Sequence, residues 1–169
     1  MMTIRRKIDV KKWFRLVLIF FFMGISLMAC KQNQVYEQSY AFEANSWYYD
    51  NVLNFETNIE DINALYHLQI HVRHTNEYAY SNLWLKIKTI YPDGEERTDP
   101  LNIPMADDEG RWYGGGIGTV LTNDVTIQKN ASLQQTGTYR FEIYQDMRVN
   151  PMTEIMNVGF SVEKMGEGE

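Results

Sequence analysis

The sequence predicts an all-β protein: a single β-sandwich of about eight antiparallel strands, preceded by a lipoprotein signal peptide. Apolar and polar residues alternate with a period of two in most segments beyond residue 35, which is the pattern of strands with one buried face. Turn-forming residues separate these segments at short intervals. No segment sustains the 3.6-residue period of an amphipathic helix. Immunoglobulin-like and jelly-roll-like strand arrangements both fit this pattern.

The start of the chain has the parts of a bacterial lipoprotein signal. A basic segment precedes an apolar run of about thirteen residues, 16–28, which is too short to span a bilayer that needs about twenty. Leu27-Met28-Ala29-Cys30 follows as a lipobox, with a large apolar residue and then a small one at the positions that a lipoprotein signal peptidase requires. We therefore predict cleavage after residue 29 and lipidation of Cys30. An ordinary cleaved signal with an incidental cysteine is the alternative.

Cys30 is the only cysteine in the chain, so its lipidation leaves no thiol for a disulfide. One acyl chain anchors a protein only marginally, but the several chains of a bacterial lipoprotein make a permanent tether. The sequence therefore divides into the signal peptide (1–29), the lipidated cysteine with its tether (30–35), the β-sandwich domain (36–165) and a disordered tail (166–169).

The mature chain is acidic. Six of the 16 basic residues and one of the 22 acidic residues precede Cys30, which leaves 10 basic and 21 acidic residues and a net charge of −11. This charge argues against binding to nucleic acid and against adhesion to anionic lipid. The predicted contact with the membrane is therefore through the lipid on Cys30 alone.

Eight segments predict the strands. Alternation is clear at 53–60, 66–73, 83–91, 139–143 and 158–163, and weaker at 36–43, 97–105 and 120–129. Pro100 and Pro104 confine the strand at 97–105 to a sheet edge, because proline has no N–H to donate to a neighbouring strand. Tyr91-Pro92-Asp93-Gly94 predicts a type I turn. The segment 136–141 resembles the tyrosine corner that opens a late strand of immunoglobulin-like domains.

Three histidines and an acidic turn are candidate metal sites. His67 and His71 share a strand face, but residues four apart on a strand are about 13 Å apart, too far to meet on one zinc ion with bonds of about 2 Å. If the strand continues, His74 lies on the opposite face from His67 and His71. The acidic turn at 107–110 lacks the spacing of an EF-hand loop, so we interpret it as a solvated loop. We predict no metal and no cofactor.

No catalytic motif is present in the sequence. It contains neither Gly-x-Ser-x-Gly nor a phosphate-binding Gly-x-x-x-x-Gly-Lys-Ser/Thr, and no small-molecule substrate is evident. We predict no catalytic residues and no enzymatic activity. Two carboxylates that meet across a sheet would leave no motif, so a hydrolase of that kind stays as an alternative.

Aromatic residues collect near predicted strand ends and loops: Trp47, Tyr48, Tyr49, Tyr78, Tyr80, Trp84, Trp112 and Tyr113. Aromatic side chains near a surface are enriched where proteins meet partners, and they also stack on sugars. A carbohydrate-binding lipoprotein of a polysaccharide-uptake system, with Trp84, Trp112 and Tyr113 as a stacking platform, is therefore an alternative function. A second alternative is that the rings close the ends of a small sandwich.

Two segments carry a resemblance to a known family. They are HTNEYAYSNLWL at 74–85, which continues to the turn at 91–94, and PMADDEGRW at 104–112. With the lipobox and the strand at 136–148, they resemble the gliding motility lipoprotein GldH family of Bacteroidetes, over nearly the whole mature chain. Ala79 stands where the family pattern leads us to expect proline.

The resemblance implies a non-enzymatic lipoprotein of the cell envelope, an accessory or structural component of the gliding motility and type IX secretion apparatus. It implies other gliding and secretion lipoproteins of the envelope as partners, and it transfers no catalytic residue. The tether after Cys30 lacks the acidic cluster expected of surface-exported lipoproteins. We therefore expect a protein lipid-anchored in the outer membrane and facing the periplasm.

The loop at 107–118, together with 78–84, is the predicted partner-facing surface. Its candidate residues are Tyr78, Tyr80, Trp84, Asp107, Asp108, Arg111, Trp112 and Tyr113. The three glycines 114–116 would let the backbone bend tightly or approach a partner closely. In the alternative, Trp112 folds inward to cap the sandwich and Arg111 pairs with Asp107 or Asp108.

Overall fold

The computed structural model describes residues 34–165, which form one compact unit. The predictions for the signal peptide, for Cys30 and for the tail at 166–169 lie outside the described residues. Eleven strands follow in chain order: β1 (Gln34–Ala41), β2 (Ser46–Trp47), β3 (Leu53–Ile59), β4 (Leu65–Thr75), β5 (Asn82–Ile90), β6 (Glu96–Pro104), β7 (Gly115–Ile117), β8 (Val120–Ser132), β9 (Gly137–Gln145), β10 (Met152–Thr153) and β11 (Ile155–Lys164). A short 3₁₀ helix, Glu43–Asn45, joins β1 to β2. Within residues 34–165, no helix has the length and apolar character to cross a membrane.

Two antiparallel sheets make the sandwich, which confirms the predicted fold class. One sheet has five strands in the order β1-β11-β4-β8-β7, and the other has four in the order β3-β9-β5-β6. The short strands β2 and β10 pair separately. The eight strands with at least seven residues correspond to the eight predicted segments. β1 begins at Gln34, before the predicted start of the domain, because Gln34 already pairs with Glu163.

The core lies between the sheets and is built from the apolar half of each alternating strand. In β4, Tyr66, Leu68, Ile70 and Val72 are buried, whereas the residues between them are partly or fully exposed. Phe160 of the first sheet contacts Phe141 and Phe55 of the second, with ring centroids 4.7 and 5.5 Å apart. Burial of such side chains stabilises a fold by roughly 1.5–3 kcal/mol each, so the period-two pattern decides how the sheets face.

Sheet edges are protected in two ways. β6 is an edge strand, as Pro100 and Pro104 predicted. The free edge of β3 is covered by two tyrosines of β1: the Tyr40 hydroxyl donates to the Asn54 carbonyl (2.6 Å), and the Glu56 N–H donates to the Tyr36 hydroxyl (3.3 Å). These bonds occupy backbone groups that would otherwise pair with another chain.

The turns also follow the sequence signals. The Gly94 N–H donates to the Tyr91 carbonyl over 2.9 Å, which closes the predicted turn at 91–94. At the start of β9, the Gln135 N–H donates to the Tyr139 hydroxyl over 3.2 Å, a bond from a strand-entry tyrosine to backbone a few residues upstream. This is the contact that defines a tyrosine corner.

The strand registers give the sandwich two distinct ends. β1 runs from Gln34, opposite Glu163, to Ala41, opposite Asn157. The segments 42–52, 76–81, 105–119 and 146–154 gather at the end where β1 finishes, which we call the loop end. The segments 60–64, 91–95 and 133–136 gather at the end where β1 begins, which we call the tether end. The chain therefore enters the sandwich at the end opposite the longer loops.

Candidate functional site

Exposed aromatic side chains mark the loop end. Among the described residues, the aromatics with large exposed surface are Tyr48 (49%), Tyr49 (45%), Tyr80 (38%), Trp84 (42%) and Tyr113 (44%). Four of them lie in loop-end segments, and Trp84 is the third residue of β5, which begins at that end. The large exposed apolar residues at the tether end are aliphatic: Val35, Ile62 and Leu65. The aromatic surface is therefore concentrated at one end of the domain.

A groove with a volume of about 600 Å³ runs through this aromatic surface. We call it the aromatic groove; it is lined by Tyr80, Trp84, Asp146, Met147, Arg148 and Val149. Hydrogen bonds from backbone and side chains hold its two walls together. The Trp84 N–H donates to the Met147 sulfur (3.1 Å), and the Asp146 N–H donates to the Trp84 carbonyl (2.8 Å). The Tyr49 hydroxyl donates to the Met147 carbonyl (2.6 Å), which fixes the loop from a third side.

Two charged side chains, Asp146 and Arg148, line the groove, and they differ in whether they form an ion pair. Asp146 pairs with Lys86 at 2.6 Å on the outer face of β5. Arg148 is exposed and has no carboxylate within 4.0 Å among residues 34–165. Met147 and Arg148 could not be predicted from the sequence, because nothing in a polar loop after β9 indicates that it folds beside Trp84.

Tyr78 was predicted to lie on the partner-facing surface, but it is buried. Its side chain is only 3% exposed, and its hydroxyl donates to the Asn82 carbonyl over 2.9 Å. Burial raises the pKa of this hydroxyl far above its usual value, first through loss of solvation and second through the nearby Tyr80. Tyr78 thus supports Tyr80, with ring centroids 5.7 Å apart, and is too deep to touch a partner itself.

Trp112 lies partly buried against the core, in the inward position of the alternative arrangement. Its ring centroid is 5.0 Å from that of His74 and 6.3 Å from that of Tyr78. His74 is fully buried, and its Nδ1 lies 2.8 Å from the Thr75 carbonyl, to which it donates as the protonated nitrogen. Its Nε2 has no hydrogen-bond partner among residues 34–165, and burial lowers the pKa of the imidazole. Edge-to-face and tilted contacts among Trp112, Tyr78 and the neutral His74 therefore close the sandwich beneath the loop 105–114.

Hydrogen bonds to the Asp107 carboxylate close the acidic turn at 107–110. Asp107 accepts hydrogen bonds from the Glu109 and Arg111 N–H groups (both 2.9 Å) and from the Arg111 Nε (2.8 Å). The Arg111 side chain is the main reason that the pKa of Asp107 is lowered. Asp108 and Tyr113 stay exposed beside this turn. Among the described residues, no three His, Cys, Asp or Glu side chains lie close enough to share a metal ion.

The glycines 114–116 lie in a hairpin that β7 forms with β8. Gly115–Ile117 forms β7, which pairs with the start of β8. A Cβ on Gly114 would lie 2.0 Å from the Thr122 carbonyl oxygen, and one on Gly116 would lie 1.8 Å from the Val120 carbonyl oxygen. Their missing side chains thus allow β8 to pass closely. The close backbone approach that the glycines allow is thus made to β8 of the same chain.

One polar cluster has the connectivity of a hydrolase triad. His71 places Nε2 2.8 Å from the Ser161 hydroxyl and Nδ1 2.7 Å from an Asp124 carboxylate oxygen. Ser161, however, is 1% exposed and lies in the middle of β11, between β1 and β4. A nucleophile needs access to its substrate and nearby donors for the oxyanion, and this residue is enclosed by paired strands. The cluster therefore acts as a cross-strand hydrogen-bond chain.

The three aromatics of the carbohydrate alternative do not form one platform. Trp84 lines the aromatic groove, whereas Tyr113 lines a second groove beside Gly114 and Asn123. Trp112 packs inward on His74. The predicted surface thus divides: Tyr80 and Trp84 lie together, Asp107, Asp108, Arg111 and Tyr113 belong to the neighbouring loop, and Tyr78 and Trp112 support them from below.

Comparison with solved structures gives only distant similarity. Particles of infectious bursal disease virus contain a chain that matches 79% of this one at 17% identity, with a TM-score of 0.34. The VP2 subviral particle of the same virus matches 77% at 20% identity, with a TM-score of 0.30. The protein spans about a third of the length of those chains.

Comparison with protein sequences is more informative. The family described as GldH lipoprotein matches residues 34–162, which is nearly the whole sandwich. A gliding motility lipoprotein GldH homolog of Christiangramia forsetii is 32% identical over 155 residues, which covers 88% of this chain and 94% of the relative. The gliding motility lipoprotein GldH of Flavobacterium johnsoniae is 26% identical over 148 residues, which covers 83% and 91% of the two chains. The protein belongs to the GldH lipoprotein family, as the two sequence segments and the lipobox indicated.

Proposed function

We propose that this gliding motility lipoprotein is a lipid-anchored adaptor that binds another protein of the gliding and type IX secretion apparatus through its loop end. The anchor is the lipid on Cys30, held in the outer membrane on its periplasmic side. The single observation that carries the proposal is the concentration of exposed aromatics at the end of the sandwich opposite Gln34. A domain tethered at one end presents its other end to the periplasm.

The aromatic groove is the centre of this proposed interface. It combines Trp84, Tyr80 and Met147 with one exposed arginine, Arg148. Aromatic residues, methionine and arginine are the types enriched in protein interfaces, and a few such anchors contribute most of the binding energy. Hydrogen bonds donated by the Trp84 N–H, the Asp146 N–H and the Tyr49 hydroxyl hold the walls of the groove in place. A preformed groove loses less entropy when a partner binds.

The role proposed here is non-enzymatic. The described domain presents its polar clusters as exposed ion pairs or as the enclosed chain around His71, and the aromatic groove is lined by aromatic and apolar side chains with Asp146 and Arg148. Relatives with the same family description are named for motility rather than for a reaction. Binding is thus the activity that the arrangement supports best.

Changing Cys30 to serine is expected to release the protein from the membrane. The lipid is the proposed anchor, and an acidic domain has little affinity for anionic lipid without it. Cells grown with a fatty-acid probe should label the wild type and leave the Cys30→Ser variant unlabelled. The variant should accumulate as an unprocessed or soluble form. Equal labelling of the two proteins would contradict the anchor.

The interface itself is tested by Trp84→Ala in affinity purification of the lipidated protein. We expect recovery of envelope proteins to fall about tenfold or more, since loss of one aromatic anchor commonly costs over 1.4 kcal/mol of binding. Ile62→Ala is the matched control, because Ile62 is 43% exposed, close to the 42% of Trp84, and lies at the tether end. The melting temperature of both variants should stay near that of the wild type. Equal recovery with all three proteins would overturn the proposed interface.

A further inference from the structure

The tether end carries exposed apolar side chains of its own, and they differ in kind from those of the loop end. They are the aliphatic residues Val35, Ile62 and Leu65, which are 42–43% exposed. We call these three residues the aliphatic patch. Valine and leucine are under-represented among the residues that dominate binding between proteins, whereas tyrosine and tryptophan are enriched. The aliphatic patch therefore has a different chemistry from the aromatic surface that is proposed to bind a protein.

The fold brings Val35 and Leu65 together beside the end of β11. The strands β1, β11 and β4 are neighbours in the five-stranded sheet. Gln34 pairs with Glu163, and the Met165 N–H donates to the Leu65 carbonyl over 2.8 Å. Neighbouring strands lie about 4.8 Å apart, so the strands that carry Val35 and Leu65 are separated by about 10 Å. The two residues thus lie in one small area of the tether end.

Ile62 is held in the same area through its neighbour Asp61. The Asp61 carboxylate pairs with the Lys164 Nζ at 2.7 Å, and the Asp61 carbonyl accepts a hydrogen bond from the Tyr66 hydroxyl over 2.8 Å. These two contacts join the loop 60–64 to the end of β11 and the start of β4. The three aliphatic residues are therefore positioned by the folded domain.

Little chain separates the aliphatic patch from the proposed lipid anchor, on which this inference rests. Three residues, 31–33, lie between Cys30 and Gln34. A chain spans at most about 3.3–3.6 Å per residue, so Gln34 lies within about 14 Å of Cys30 in any conformation. The headgroup region on each side of a bilayer is about 5–8 Å thick. With acyl chains on Cys30 in the bilayer, the tether end and its patch would therefore lie at the membrane surface.

The charges beside the aliphatic patch decide which lipids suit it. Glu60 and Asp61 precede Ile62, and Glu163 lies at the end of β11, where Lys164 is paired with Asp61. Contact with anionic headgroups is unfavourable for such a surface, so zwitterionic lipid is the better match. Three partly exposed aliphatic side chains make a weak contact, but a short tether raises the local concentration of the two surfaces enough for a weak contact to form.

We propose that the aliphatic patch inserts into the headgroup region of the anchoring bilayer, as a second membrane contact beside the lipid on Cys30. The surface that covers it is zwitterionic phospholipid, of the class of phosphatidylethanolamine. A lipid surface needs no shaped pocket and no backbone partners, so it suits a few aliphatic side chains at the end of a sheet. This contact would fix the tilt of the domain and point the loop end, with the aromatic groove, away from the membrane.

The experiment uses the lipidated protein in vesicles of phosphatidylethanolamine and phosphatidylcholine. Lipidated Cys30 has no free thiol, so a cysteine introduced elsewhere is the one site that a thiol-reactive fluorophore labels. The fluorophore is attached in one sample through Asn63→Cys and in the other through Asn76→Cys; both asparagines are exposed, the first at the tether end and the second at the loop end. We expect phospholipid with a nitroxide in its headgroup region to quench the fluorophore at position 63 strongly and at position 76 very little.

A patch variant separates insertion of the aliphatic side chains from mere closeness to the membrane. Ile62→Ser combined with Leu65→Ser, in the protein labelled at position 63, should reduce the quenching toward the level seen at position 76. Ile117→Ser is the matched control, because Ile117 is an aliphatic residue that is 94% exposed at the loop end; it should leave the quenching unchanged. All three positions are on the surface, where substitutions rarely disturb folding.

Flotation of the vesicles reports on the anchor separately. Protein that fails to float with the vesicles would show that the proposed anchor on Cys30 is wrong, and the patch proposal would fail with it. Protein that floats but is quenched equally at positions 63 and 76 would overturn the patch proposal alone. Quenching at position 63 that the patch variant leaves unchanged would do the same, because closeness to the membrane would then come from the tether.

Discussion

Phe141→Ala is expected to lower the free energy of unfolding by about 3–5 kcal/mol, the usual cost of removing a buried phenylalanine. Phe141 is 2% exposed, and its ring contacts Phe160 of the facing sheet, with centroids 4.7 Å apart. It also pairs with Phe55 on one side and with Thr89 on the other. The truncation therefore leaves a cavity at the junction of both sheets. Urea denaturation of the mature chain measures the change.

Asn58→Ala is the control for this truncation. Asn58 lies on β3, which pairs directly with β9, but its side chain is exposed on the outer face. Surface changes of this kind usually stay within about 0.5 kcal/mol. A loss below about 1 kcal/mol for Phe141→Ala would mean that the ring is not part of the core, contrary to the packing described above.

Trp112→Ala is expected to lower the free energy of unfolding by about 1–3 kcal/mol, a fraction of the full cost for a buried aromatic because Trp112 is only partly buried. The substitution removes the ring that contacts His74 edge-to-face and Tyr78 at a tilt. It also opens a path for water to the unpartnered His74 Nε2. Thermal unfolding should show a decrease of several degrees.

The neighbouring Tyr113→Ala provides the comparison, since Tyr113 is 44% exposed. It should change the melting temperature little. Wild-type stability of Trp112→Ala with loss of its envelope partners would instead mean that Trp112 is itself a contact residue. The contrast with Trp84→Ala, which should keep its stability and lose its partners, separates the aromatics that close the sandwich from those that bind.

Most of the strand pattern could be predicted because half-buried strands carry a local signal. In β3, β4, β9 and the first part of β5, buried side chains alternate with more exposed ones, and one residue type suits each environment. In β11, which lies between β1 and β4, Gly159 and Ser161 are buried as well. The edge position of β6 followed from Pro100 and Pro104 for an equally local reason. Strand order depends on contacts between residues that are distant in sequence. The alternation within one strand does not indicate which strands lie beside it.

The site was harder to predict than the fold. Trp84 alternates with the buried residues of β5, so its exposure could be deduced from the strand pattern. Tyr78 lies in a loop, where no such alternation shows which way a side chain points. Met147 and Arg148 reach the aromatic groove through the pairing of β9 with β5, which brings together residues more than sixty positions apart. The glycines 114–116 look like a flexible loop in sequence, since nothing local shows that β8 returns across them.

The central claim, that the loop end is the face that meets a protein partner, is tested most directly by site-specific photo-crosslinking in living cells. A photoreactive amino acid is placed at Trp84 in one strain and at Ile62 in another; the two native side chains are 42% and 43% exposed and lie at opposite ends of the sandwich. We predict a discrete crosslink to another envelope protein from position 84 and none from position 62. A protein crosslink from position 62 with none from position 84 would contradict the account.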